Sequence, residues 1–187
     1  PDVVADALSK TITLGGVRPD WVTFAGNGEP TMHPRFAVVV DRVLAVRDAV
    51  APGVRVGVLS NGLAAGKPVI REALNRLDAR MMKLDPGPVE LVNGVPYDRE
   101  LLVANYRGLK DVIIQAMIVD GAAFSGSDDA AIAAWLPYLG RVHPKAVHLY
   151  SLDRVPADGS LKRVARERLM EIAVRARRVV QGPVEVF

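Results

Sequence analysis

Hydrophobic spacing along this chain switches repeatedly between a helical period and a strand period, and the switches divide it into βα units. Residues 2 to 14 carry Val3, Val4, Ala7, Leu8, Ile12 and Leu14 at helical spacing and stop at Gly15-Gly16. Trp21 to Ala25 is a β-branched and aromatic run that predicts a buried strand. Pro34 opens a helix to residue 50, with Phe36, Val39, Val40, Val43, Leu44 and Val46 on its apolar face, and Ala51-Pro52-Gly53 ends it. The spacing then predicts a strand at Val54 to Leu59, a helix over about 66 to 76 and a strand at Ala79 to Leu84. Residues 88 to 97, with Asn93-Gly94 and Pro96, read as a longer loop.

Beyond that loop, Asp98 is the expected cap of a helix with Leu101, Leu102 and Leu109 on its apolar stripe. A strand at Val112 to Val119 leads to a helix with Ser127 as its expected cap, running to about Leu139. Ala146 to Leu149 reads as the next strand, residues 161 to 179 as a basic amphipathic helix, and Val184 to Phe187 as a last strand. Repeated βα units with short loops imply parallel strands joined by right-handed crossovers. The class is therefore α/β, and periodicity alone leaves open a flat doubly wound sheet or a curved barrel section.

Composition narrows the picture modestly. At 187 residues, half of them hydrophobic, the chain is expected to be one domain with a sizeable core. No apolar run approaches the roughly 18 residues of a membrane span, and the expected location is the cytoplasm. A net charge of +3 permits contact with RNA without arguing for it. The absence of cysteine removes disulfides, thiolate metal ligands and cysteine nucleophiles from these residues.

The candidate chemistry lies at the ends of strands. The first strand runs into Gly26-Asn27-Gly28-Glu29-Pro30-Thr31, where two glycines let another molecule approach the main chain. Later exits carry Ser60 and Asn61, Lys83 and Asp85, Gln115 and Asp120, and Tyr150 and Arg154. Loops are polar in any protein, and Asn-Gly is ordinary turn chemistry. Five successive exits with such residues nonetheless favour one site, because a barrel gathers the C-terminal ends of its strands at a single rim. Register decides whether Gln115 points inward. Tyr150 and Arg154 are equally compatible with a core tyrosine and a surface arginine, and Glu29 with a carboxylate at a helix start.

Taken in order, these segments resemble the radical S-adenosylmethionine superfamily. Gly26-Asn27-Gly28-Glu29-Pro30-Thr31-Met32-His33-Pro34 is similar to the loop after that family's second strand, in the form found in its wybutosine-synthase-like subgroup. Ser60-Asn61-Gly62, Met82-Lys83-Leu84-Asp85, Ile114-Gln115-Ala116-Met117 and Leu149-Tyr150-Ser151-Leu152-Asp153-Arg154 resemble the third to sixth strand exits. The resemblance implies a (β/α)6-type open, partial barrel. It implies that Gly26, Asn27, Gly28 and Glu29 take the methionine ammonium of S-adenosylmethionine. By the same likeness Ser60 and Asn61 address the ribose, Lys83 or Asp85 the substrate or the cofactor carboxylate, and Tyr150 and Arg154 the adenine or substrate end, with Gln115 also in the pocket.

The resemblance also implies a [4Fe–4S] cluster that generates a 5′-deoxyadenosyl radical, held on three cysteines after the first strand. Such a cluster needs thiolates, and the chain has none. The expectation is a chain lacking the first strand and cluster loop, inactive alone, with no catalytic or metal-binding residue of its own. Loss of that strand would expose an edge at Val22 to Phe24, which predicts a homodimer or another cover there. Two other readings compete. One is a cluster-less barrel kept as a protein- or RNA-binding module, using Lys162, Arg163, Arg166, Arg168, Arg175, Arg177 and Arg178. The other is a phosphate-binding α/β barrel enzyme whose glycine loop grips an anion.

Overall fold

The computed structural model describes residues 1–16, 18–26, 28–88, 98–156 and 158–187. Six parallel strands form one sheet in the order β1 (Trp21–Phe24), β2 (Arg55–Ser60), β3 (Ala79–Lys83), β4 (Val112–Met117), β6 (Ala146–Tyr150) and β8 (Val184–Val186). Each strand of this sheet lies beside the next one in the chain, so the strands wind in one direction, as the staves of an open barrel do. The helices are α1 (Asp2–Leu14), α2 (Phe36–Val50), α3 (Pro68–Asn75), α4 (Arg99–Tyr106), α5 (Asp129–Val142) and α6 (Arg166–Ala176). A second, two-stranded sheet pairs β5 (Val119–Asp120) antiparallel with β7 (Lys162–Arg163).

The two faces of the large sheet differ because side chains alternate along a strand. Val56, Val58, Met82, Ile114, Val147 and Leu149 lie on the helix-covered face and are fully buried. They join Val40, Leu74, Trp135 and Ile172 of the flanking helices in one core. Trp135 also donates its indole N–H to the Leu84 carbonyl at 3.0 Å, which ties α5 to the end of β3. Leu59, Lys83, Gln115, His148 and Tyr150 alternate onto the opposite face, which no layer of helices covers and which stays partly open.

Several boundaries depart from the periodicity. The expected strand Val112 to Val119 breaks at Ile118. Its N–H turns to the Tyr150 carbonyl at 2.8 Å, and Val119 then pairs with Arg163 in the small sheet. The basic stretch from 161 begins as that strand, β7, and only Arg166–Ala176 is helical. Asp128, not Ser127, caps α5, accepting the Ala131 N–H at 2.6 Å, while Ser127 hydrogen-bonds Asp120. The cap expected at Asp98 is present, through the Glu100 N–H at 2.8 Å. Leu101, placed on the apolar stripe of α4, is exposed, whereas Leu102 is fully buried. Asn27 and most of the loop expected at 88 to 97 lie outside the described residues. No described helix is long and apolar enough to cross a membrane.

Candidate functional site

Because the strands are parallel, all their C-terminal ends open at one end of the sheet. The loop after β1 is fixed there by its own carboxylate. Glu29 caps the 3-10 turn Pro30–Met32, where its Oε1 accepts the Thr31 N–H at 3.0 Å and the Thr31 hydroxyl at 2.6 Å. The same oxygen accepts the Ser60 hydroxyl at 2.7 Å, and Oε2 accepts the Asn61 N–H at 2.7 Å. A single side chain thus clamps the exit of β1 to the exit of β2. The expected carboxylate at a helix start is therefore present, and the same side chain also lines the cavity.

The β2 exit is a tight turn. Ser60, nearly fully buried, also accepts the Gly62 N–H at 3.0 Å, and Asn61 Oδ1 accepts the Leu63 N–H at 3.0 Å. Gly62 adopts φ +75°, and a Cβ there would collide with the phenol ring of Tyr106. Tyr106 is buried and donates its hydroxyl to the Lys83 carbonyl at 2.6 Å, so it props the β3 exit as well.

Between these loops and the open face of the sheet lies a cavity of about 540 Å³. Its wall brings together Gly26, Gly28, Glu29, Ser60, Asn61, Lys83, Gln115 and Tyr150 from five strand exits. Leu59 and Met81 form its apolar floor. The register settles the position of Gln115: it pairs across the sheet with Lys83 on one side and His148 on the other, all on the open face. Tyr150 has its hydroxyl pKa pushed up to about 12, first by burial and then by the charge of Asp85, so it is a neutral donor at physiological pH.

Two expected residues stand elsewhere. Asp85 is fully buried behind the wall, where it accepts the Met117 N–H at 2.8 Å and pairs with Lys83 Nζ at 3.1 Å. It therefore holds Lys83 in place instead of facing the cavity. Arg154 is exposed and lines neither this cavity nor its neighbour, because the chain bends outward after β6. Three arginines in and just after α6 are committed. Arg168 pairs with Asp129 and Glu171 at 2.8 Å, Arg175 with Asp129 at 2.7 Å, and Arg177 donates to the Val184 carbonyl.

Sequence reasoning missed a second cavity of about 560 Å³ that shares Leu59, Gln115 and Tyr150 with the first. His148 stands in its wall, with Nδ1 at 2.7 Å from Gln115 Nε2 and Nε2 at 3.5 Å from Glu185 Oε2. Burial holds the His148 pKa below its ordinary value against the opposing charge of Glu185. Strand alternation from Tyr150 back to His148 was the available signal. Among the described residues no group of three or more His, Cys, Asp or Glu side chains could hold a metal ion.

No protein-family model matches the chain. It is 22% identical over 166 residues to a UPF0026 protein of Helicobacter pylori strain 26695, a match covering 83% of this chain and 51% of the relative. A UPF0026 protein of strain J99 is 20% identical over 161 residues with the same coverage. The chain spans about half the length of the curated relatives it matches. Among solved structures, Streptococcus suis SuiB bound to S-adenosylmethionine superposes with a TM-score of 0.64 at 13% identity, covering 98% of this chain and 43% of SuiB. SuiB bound to the precursor peptide SuiA gives a TM-score of 0.62 at 15% identity, covering 97% of this chain and 42% of SuiB. The chain therefore has the SuiB fold.

Proposed function

We propose that this chain is the cofactor-binding core of a radical S-adenosylmethionine enzyme and that its first cavity holds S-adenosylmethionine. The observation that carries this reading is the clamp at Glu29. It presents the Gly26–Gly28 loop beside a cavity whose remaining wall is made of short donors and acceptors, Ser60, Asn61 and Gln115. No hydrogen bond among the described residues occupies the carbonyl oxygens of Gly26 and Gly28, leaving them for an ammonium group. Lys83, paired with Asp85, lines the same cavity and offers a positive charge to a carboxylate. The neutral hydroxyl of Tyr150 supplies a donor at the far end. An amino acid joined to a nucleoside carries the groups that this set of side chains and carbonyls can meet. The placement of SuiB with S-adenosylmethionine on the same fold supports the choice.

The iron–sulfur half of the chemistry does not fit these residues. A [4Fe–4S] cluster is held by thiolates, and the 187 residues contain no cysteine. Its ligands would come from outside this sequence, and the chain alone is proposed to bind without turning over. The wybutosine-like subgroup rests on the Gly26–Pro34 loop alone.

Isothermal titration of the chain with S-adenosylmethionine tests the reading. Saturable binding with a Kd of about 0.1–1 mM is expected, weakened about tenfold in Glu29→Gln, where the charge that orders the loop is lost. Absence of saturation at several times that concentration would overturn it. The same reading places β1 at an open sheet edge, with Trp21 and Thr23 exposed. A second copy paired along Val22–Phe24 is proposed to cover it. Light scattering after size exclusion is expected to show a dimer, dispersed by Thr23→Pro; a monomer at high concentration would refute the pairing.

A further inference from the structure

We infer that the second cavity is the substrate site and that it takes an anionic molecule with an apolar body. Calling its ligand a substrate rests on the cofactor reading of the neighbouring cavity; the recognition chemistry does not. The cavity is lined on one side by Leu59, Leu152, Val164, Leu169 and Phe187, a surface that excludes water from a ring or an alkyl chain. On the other side stand Arg163, at the end of β7, and Arg166, at the start of α6.

Neither guanidinium has an ion pair or hydrogen bond among the described residues, unlike those of Arg168 and Arg175 on α6. Asp153 is the single carboxylate side chain among the described lining residues, set against two guanidinium groups. His148, uncharged under the influence of burial, adds none, and Glu185 lies behind it on β8. The surplus positive charge sits where a guanidinium fork can meet a carboxylate or a phosphate. Gln115 gives the floor a direction. Its amide nitrogen is engaged by His148 Nδ1, which leaves Oε1 to accept a hydrogen bond from a ligand at the boundary of the two cavities. The two cavities share Leu59, Gln115 and Tyr150, so a ligand seated there adjoins the contents of the first.

A fluorescence titration with 8-anilinonaphthalene-1-sulfonate, which joins an apolar ring system to an anion, tests this in the full chain. One saturable site is expected. Arg163→Gln and Arg166→Gln should each weaken it about three- to tenfold. Lys162→Gln makes the same charge change at a residue outside the wall and should leave it unmoved. All three side chains are exposed, so the variants retain the fold. Displacement of the dye by 3-phenylpropionate identifies a carboxylate as the preferred anion, and displacement by phenyl phosphate a phosphate. Either supports the inference if neutral 3-phenylpropanamide competes at least tenfold more weakly. Equal losses in all three variants, equal competition by the neutral amide, or no saturable site would overturn it. Titration of S-adenosylmethionine into the same variants separates the two readings: its failure in the unaltered chain, with the dye results as expected, sinks only the cofactor assignment.

Discussion

The two walls of this rim are built on opposite plans. At the exits of β1 and β2 the described polar side chains are tied into the protein: Glu29 accepts four hydrogen bonds, Ser60 and Asn61 close their own turn, and Tyr106 braces the turn from below. At β6, β7 and the start of α6, the guanidinium groups of Arg163 and Arg166 line the cavity with apolar side chains and have no ion pair or hydrogen bond among the described residues. The first wall is preorganised and gives up little freedom when a ligand arrives. The second must order its long side chains at that moment, which costs affinity and admits a wider range of ligands. On the proposed reading, a fixed cofactor pocket stands next to an adaptable substrate pocket.

The largest expected difference between the walls is in stability. Glu29→Ala removes the acceptor for four partly buried donors, the Thr31 and Ser60 hydroxyls and the Thr31 and Asn61 backbone N–H groups. It should cost about 2–3 kcal/mol, seen as a lower urea midpoint at unchanged slope. An effect below about 0.5 kcal/mol would mean the β1 and β2 exits hold each other without it. His148 should show a smaller, pH-dependent effect. Its pKa is depressed in the folded protein, so the unfolded chain takes up a proton first as pH falls through about 6.5. Stability is thus fully present above that pH and declines below it; in His148→Gln this part of the decline should vanish from urea melts taken between pH 7.5 and 5.5. Identical slopes in both proteins would mean that burial does not hold the His148 pKa down. The smallest effect belongs to the second wall: Arg163→Gln and Arg166→Gln together should leave the urea midpoint where it was, whatever they do to ligands.

Much of this architecture can be read before folding, because each strand and helix obeys its own period. Trp21 to Ala25 and Ala146 to Leu149 lie within one residue of the observed strands, since β-branched runs between glycines and prolines leave few alternatives. The rim could be anticipated for the same reason: parallel strands must all end on one side. Depth was what spacing could not convey. Lys83 and Asp85 are two residues apart and equally polar, yet one lines the cavity and the other is buried behind it, because the chain leaves the sheet after β3. Arg154 and Arg163 illustrate the same gap. The arginine next to a strand exit points away, while the one assigned to a basic helix sits in a two-residue strand that returns it to the rim. That return depends on Val119 pairing with Arg163 across more than 40 residues of sequence, a contact no local pattern announces.

Gly62 carries a consequence for anyone altering this protein. Its place is filled from outside by the Tyr106 ring, and the same ring holds the carbonyl of Lys83. An alanine at 62 would therefore do more than strain one turn: it would push the phenol off its seat and let the third strand's tip drift. Engineering of the rim should begin at the outlying Arg154 and treat this glycine–tyrosine wedge as its keystone.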